Sequence, residues 1–338
     1  MNMLKYIGRR ILLMAVVMLG ISIITFCVSH FVPGDPLVAN LGQSAMSDPE
    51  IVAAYEAKWG LDQPVYIQYI NYMKNLLHGD LGTSIRTKQP VLQDLEKYVP
   101  ATFEMATLAT IISIVLGLLF GMISAARHNK LSDHVLRVIS LMGISIPAFW
   151  LSILCLYVFY LNLRILPGSG RVGAEWLGAT FPTGFLLWDA VTCGEPTLFW
   201  DALAHLVLPS LVLAASTMGI LTRTVRSSML EVLQQDYLRT ARAKGLSERR
   251  IMIHHVLKNG LIPSVTMFGL CYGSLLGGTV LVETIFNYPG VGLYAYKAAT
   301  TLDFPAIMGT TLFIAAVNVL MNFFVDILYA LIDPRIRY

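Results

Sequence analysis

Charge is scarce in this 338-residue chain: 13% of residues are Asp, Glu, Lys or Arg, against 56% hydrophobic. A soluble domain carries about 25% charged residues. The deficit, with a mean hydropathy of +0.64, excludes an ordinary soluble protein and points to a polytopic membrane chain. Cysteine is scarce too. Cys27, Cys155, Cys193 and Cys271 show no paired spacing, which excludes a disulfide framework and a C-x-x-C metal or redox motif. They read as small apolar packing residues. The dipeptide Gly-Lys is missing altogether, so no G-x-x-x-x-G-K-[ST] loop can cradle nucleotide phosphates. The histidines, His254-His255 among them, lack H-E-x-x-H spacing. No catalytic set, metal site or cofactor is therefore expected in this chain, and nothing points to nucleic acid. An internal repeat, the mark of many secondary transporters, is not evident.

What is present is a series of apolar runs. A bilayer span needs about 20 mostly apolar residues, and six segments qualify: 11–32, 101–125, 138–161, 206–229, 261–282 and 305–332. The fold class expected is an all-α integral membrane protein of six transmembrane helices, with 1–338 a single membrane domain. The first span is too long for a cleaved signal peptide and lacks the small-residue cleavage pattern, so it is expected to be retained. Its flank, Lys5, Arg9 and Arg10, should stay in the cytoplasm. Both termini and the loops near 126–137 and 223–260 then lie inside. Those four segments hold sixteen of the 24 Lys and Arg but five of the 21 Asp and Glu, a net +11 inside against −8 elsewhere. Asymmetry of this size supports both the count and the orientation.

Between spans, segment 33–100 is expected to form an extracytoplasmic helical insert. Ser47-Asp48-Pro49-Glu50 reads as a helix start and Gly60 as its end. Pro64 then opens a second helix with Tyr66, Tyr69, Ile70, Met73, Leu76 and Leu77 at helical spacing. Asp35, Asp80 and Asp94 read as turn and cap residues. Segment 163–204 is rich in Gly and Pro and reads as irregular.

The polar loop 231–260 stands out. Ser227–Lys244 holds helix formers with no Gly or Pro, Gly245 permits a turn, and Ser247 can cap a second helix over Glu248–Asn259. The result is a helix–turn–helix elbow with small residues at its tip, Thr240, Ala241, Ala243 and Gly245, flanked by Arg239, Arg242 and Lys244. A small tip lets a soluble partner approach closely, and the flanking cations can bond its acidic groups.

From Tyr237 to Leu246 the loop reads Tyr-Leu-Arg-Thr-Ala-Arg-Ala-Lys-Gly-Leu. This resembles the "EAA" loop of ABC importer permeases in the variant of the dipeptide, oligopeptide and nickel group. Ala241 and Gly245 keep the general spacing, while Arg239 stands where the general motif has Glu. Further landmarks are similar to the group: Arg9-Arg10, Pro33-Gly34-Asp35-Pro36, Gly60-Leu61-Asp62-Gln63-Pro64, Gly79–Ser84, Ile146–Trp150, Glu283–Phe286, Tyr288-Pro289-Gly290 and Asp333-Pro334-Arg335. The retained segment 33–100 resembles the first of the two permeases of such systems.

The resemblance implies an inner-membrane permease subunit, not an enzyme. It would pair with a homologous second permease and bind two ATPase subunits, which hold ATP and Mg. It would receive substrate from an extracytoplasmic binding protein. The coupling residues implied are Tyr237, Arg239, Thr240, Ala241, Arg242, Ala243, Lys244, Gly245 and Leu246. Di- or oligopeptides lead as cargo, with nickel or another metal chelate as the alternative. An ATPase-independent secondary transporter is the rival of a different class. Glu104, Glu283 and Asp326 lie in or at the ends of spans, where charge is costly. They are expected to line a pathway or a hydrogen-bonded interface.

Overall fold

A computed structural model describes residues 3–31 and 63–332. The helix start at Ser47, its end at Gly60, Asp35, the Asp333-Pro334-Arg335 landmark and the side chain of Asp326 lie outside the described residues. The chain divides into two compact units, one of Met1–Pro100 and Pro289–Val319, the other of Ala101–Tyr288 and Leu320–Arg337.

The first unit begins with α1 (Met3–Phe31), an apolar helix without a distinct polar face, as in any helix that is apolar all round. The helix expected after Pro64 forms as α2 (Val65–Leu77). Its tyrosines fasten it to α1. Tyr69 shares a hydrogen bond with Ser22, Oη to Oγ 2.9 Å, and the Phe26 ring lies 5.2 Å from Tyr69 and 5.9 Å from Tyr72. Two carboxylates organise the rest of the unit. Asp94, in the first turn of α3 (Val91–Ala126), accepts hydrogen bonds from Thr87 Oγ1 and Tyr294 Oη. Asp303 precedes α13 (Phe304–Ile332), where its Oδ1 accepts from the Ala306 amide and its Oδ2 from Ser84 Oγ at 2.6 Å. Capping of that kind satisfies amides that have no partner within the helix. Val91, Leu95, Ala306 and, on α12 (Val291–Thr300), Tyr294 and Ala298 close a small core.

The second unit holds the remaining elements. They are α4 (Leu131–Ser145), α5 (Ala148–Cys155) continued by a π-helix over Leu156–Asn162, and α6 (Leu186–Thr192). Then come α7 (Pro196–Leu233), α8 (Asp236–Ala243), α9 (Glu248–Gly260, in three pieces), α10 (Ile262–Gly277) and α11 (Val280–Ile285).

The expected spans are revised in three places. The run 138–161 is not one straight helix: α4 and the segment Ala148–Asn162 meet at 106°. Pro147 disfavours helical geometry at the residue before it, and Ile146 is extended with ψ 123°. The second span begins at Val91 and carries Pro100 inside the helix instead of opening after it. The run 261–282 is not one helix: α10 covers 16 of its residues, about 24 Å, and after a break at Gly278-Thr279 the chain starts α11 at Val280. Among the described residues four helices are long and apolar enough to cross a membrane, or five if the bent pair is one span.

Glycine lets α4 and α7 touch backbone to backbone. A Cβ on Gly219 would meet the Ser140 carbonyl oxygen at 2.3 Å, and one on Gly143 would meet that of Ala215 at 2.4 Å. Small residues serve such approaches in membranes. Gly219→Ala must push the helices apart and is expected to cost about 1–3 kcal/mol. A lower melting midpoint of the solubilised protein measures it, and an unchanged midpoint would contradict the contact.

Candidate functional site

The elbow forms, with one more joint than its sequence suggests. The helix expected over 227–244 breaks at Gln234-Gln235, where α7 ends and α8 begins. Neither residue is a helix breaker, so the cause is tertiary. Leu238 and Ala241 of α8 turn into a cluster with Val225 and Met229 of α7, Ile251 and Val256 of α9, and Ala125. A straight continuation of α7 would carry Leu238 away from that cluster.

The turn after α8 is set by Gly245, whose φ is +76°, a conformation that costs residues with a Cβ about 1–2 kcal/mol. The Gly245 amide donates to the Arg242 carbonyl at 2.9 Å and the Leu246 amide to the Ala241 carbonyl at 3.3 Å. These are the two bonds of a Schellman cap, and Leu246 adds its hydrophobic contact by packing on the cluster that holds Ala241. Ser247 sits at the start of α9 but makes no side-chain cap bond, contrary to expectation. Its carbonyl accepts from Ile251, while Glu248 reaches back across the turn to Arg242 Nε at 2.8 Å. The Arg242 guanidinium holds the Glu248 carboxyl below its usual range. The pair therefore persists at neutral pH and fades as pH falls through that lowered value. Both groups are exposed, so it orients the turn more than it stabilises it.

Of the expected coupling residues, Tyr237, Arg239, Thr240, Arg242, Ala243, Lys244 and Gly245 face outward, Ala241 is buried and Leu246 half-buried. Tyr237 is tied back to α9, its hydroxyl accepting from Asn259 Nδ2 at 3.0 Å. The elbow is thus a knob held by apolar residues underneath, Ala241 of the expected small tip among them, with Thr240, Ala243 and Gly245 left as the small residues of an outer surface that also carries Tyr237, Arg239, Arg242 and Lys244.

The acids at the span ends are placed apart from the elbow in the chain and have partners of their own. Glu104 Oε2 accepts from Arg171 Nη2 at 2.6 Å and Oε1 from the Leu187 amide at 2.9 Å. Arg171 also donates to the Gly184 carbonyl. Glu283, fully buried, accepts from Thr102 Oγ1 at 2.7 Å. Glu104 also borders a cavity of about 730 Å³ lined by Phe103, Thr107, Phe185 and Trp188.

Sequence reasoning missed a second charged centre. Asp133, fully buried, accepts from Arg226 Nε and Nη2 at 2.9 Å each, from Ser124 Oγ and from the Asn129 amide. It joins α3, α4 and α7 beside the root of the elbow. The available signal was that Asp133 is the single acid in the loop 126–137. The π turn of α9 over Met252–Leu257 was also missed, and no residue pattern announces it.

Comparison with known proteins places this geometry. Residues 117–338 match the family described as binding-protein-dependent transport system inner membrane component, and residues 3–106 match the N-terminal part of such components. The "Probable D,D-dipeptide transport system permease protein DdpB" of Escherichia coli (strain K12) is 46% identical, over 96% of this chain and 94% of that protein. The dipeptide transport system permease protein DppB of Alkalihalophilus pseudofirmus is 42% identical over 99% of this chain and 100% of that protein. The oligopeptide transport system permease protein AppB of Bacillus subtilis (strain 168) is 38% identical, again over 99% and 100%. Among solved structures, a chain of the MetNI methionine ABC transporter in inward-facing conformations aligns with a TM-score of 0.51 and 15% identity. It covers 72% of this chain and 97% of that one, a likeness of fold alone. These relatives give the nickel alternative no support.

Proposed function

We infer the cargo and the coupling from one premise: the chain belongs to the binding-protein-dependent transport system inner membrane component family. It is a transport permease subunit of an ABC importer, and ATP hydrolysis belongs to separate ATPase subunits. The cargo is a di- or oligopeptide. The observation that carries this is the run of relatives named for dipeptide and oligopeptide transport, 38–46% identical along nearly the whole chain.

The chain crosses the inner membrane six times with both termini inside, as the charge asymmetry supports. The bent α4–α5 pair and the short α10 count as spans three and five. A homologous second permease completes the pathway, and an extracytoplasmic binding protein delivers the peptide. The elbow seats in a groove of an ATPase subunit. Its capped, small-residue surface suits close contact, and its apolar underside passes motion to α7. Glu104 and Glu283 act as hydrogen-bonded struts, since each already has a fixed partner.

Affinity purification of the tagged chain should bring down two ATPase subunits and a second permease. Cells lacking the chain should lose uptake of a labelled dipeptide. A lone chain that transports without ATPase subunits would overturn the reading in favour of a secondary transporter.

A further inference from the structure

The chain between α2 and α3 forms a short, rigid hairpin. Thr83 and Pro90 make an antiparallel bridge. Beside it the Ser84 amide donates to the Gln89 carbonyl and the Val91 amide to the Gly82 carbonyl, both at 2.9 Å. At the turn the Lys88 amide donates to the Ser84 carbonyl and the Thr87 amide to Ser84 Oγ. Two buried carboxylates hold the turn from beneath. Asp303 accepts from Ser84 Oγ at 2.6 Å and from the Arg86 amide at 3.1 Å, and Asp94 accepts from Thr87 Oγ1. Lys88 has φ +58°, a strained conformation for a residue with a Cβ, which persists only where the surroundings enforce it.

The charged side chains of this hairpin are Arg86 and Lys88. Both are exposed, and among the described residues no ion pair joins either. Asp80, the acid just before the hairpin, already accepts from the Gly82 amide at 2.8 Å. A backbone fixed from below therefore presents two unneutralised cations.

Height along α3 decides what they meet. Ten residues of α3, Val91–Pro100, separate the hairpin from Ala101, where the expected span begins. That is about 15 Å of helix, against roughly 5–8 Å for the headgroup layer on one side of a bilayer. Gln93, Glu96 and Lys97 on this part of α3 are exposed, as suits helix standing in water. The hairpin thus stands beyond the headgroups, within reach of a soluble molecule.

We propose that the Arg86–Lys88 hairpin is a docking point for the extracytoplasmic binding protein, and that it meets carboxylates on an acidic edge of that protein. Exposed charges of one sign select a partner of the other and speed its approach. A turn already held by Asp303 and Asp94 loses little freedom on contact, which favours affinity. This rests on the outer placement of segment 33–100 and on the binding protein proposed above.

The probe is the binding protein that copurifies with the importer, and the readout is its Kd for the complete importer in nanodiscs. Arg86→Glu/Lys88→Glu should raise that Kd about tenfold at low salt, because repulsion replaces two attractive pairs. The variant should keep its ATPase subunits and second permease. Arg86→Lys/Lys88→Arg, which keeps both charges, should bind close to wild type. Added salt should weaken the wild type and narrow its gap to the glutamate variant. An unchanged Kd in the glutamate variant would overturn the proposal. So would a gap that salt leaves intact, which marks a misshapen loop. Placement has its own control. In cells lacking the binding protein, Lys88→Cys in a Cys193→Ser background should react with a membrane-impermeant maleimide. Protection there would overturn the outer placement itself, whereas labelling with an unchanged Kd would overturn the docking assignment alone.

Discussion

Uptake driven by ATP should disappear when Gly245 is replaced by Asp, while the chain still inserts in the membrane at near-normal levels. Two properties of the position separate these outcomes. A side chain at φ +76° is strained, by about 1–2 kcal/mol and less for Asp than for most residues. No atom lies within 4 Å of where its Cβ would stand, so the fold can absorb the change. The carboxylate would then project from the tip, beside the small surface proposed to meet the ATPase, and block close approach. Gly245→Ala carries similar backbone strain with only a methyl group and should retain part of the uptake. Measuring labelled dipeptide uptake beside membrane abundance decides it: unimpaired uptake by the Asp variant would remove the elbow from the coupling path.

The second large effect is expected at Asp133. Removing one member of a buried, hydrogen-bonded pair strands the other charge, at a cost of about 3–5 kcal/mol. Asp133→Ala leaves Arg226, with 18% of its side chain exposed, facing an emptied site. It also frees the Ser124 hydroxyl and the Asn129 amide. The melting midpoint of the solubilised protein should fall by an amount on the order of 10 °C. Arg226→Met should do comparable damage. Because the two residues act as one unit, the double variant should be much less destabilised than the sum of the single effects. Additive penalties would show that the pair is not the staple its geometry describes.

The sequence made the apolar segments and the elbow legible because lipid and helix propensity act locally. The apolar content of α1 and the good helix formers of Asp236–Ala243 suffice to place those elements. Gly245 was readable because a single residue type fits its turn. The illegible parts depend on partners far along the chain. The joint at Gln234-Gln235 exists because Leu238 has a cluster to reach. The pairing of Asp133 with Arg226 spans 93 positions, and nothing in either neighbourhood announces the other. Pro147 was visible, but a proline can kink a span slightly or fold it back, and only packing decides on 106°. The capping role read for Ser247 failed for a different reason, since Glu248 and Arg242 organise the same turn from the side.

The joint between α7 and α8 has a mechanical meaning. It contains neither Gly nor Pro, and its far side is bonded into the same apolar cluster as α7. A stiff coupling of this sort has no preferred direction: whatever torque the elbow delivers upward, a load on α7 returns downward. Thermodynamic reciprocity then fixes the size of the return. If nucleotide below changes the peptide affinity of the pathway by some factor, peptide above must change nucleotide affinity by that same factor. An importer built on such a joint would sense its cargo through the same part that moves it, without a separate signalling element.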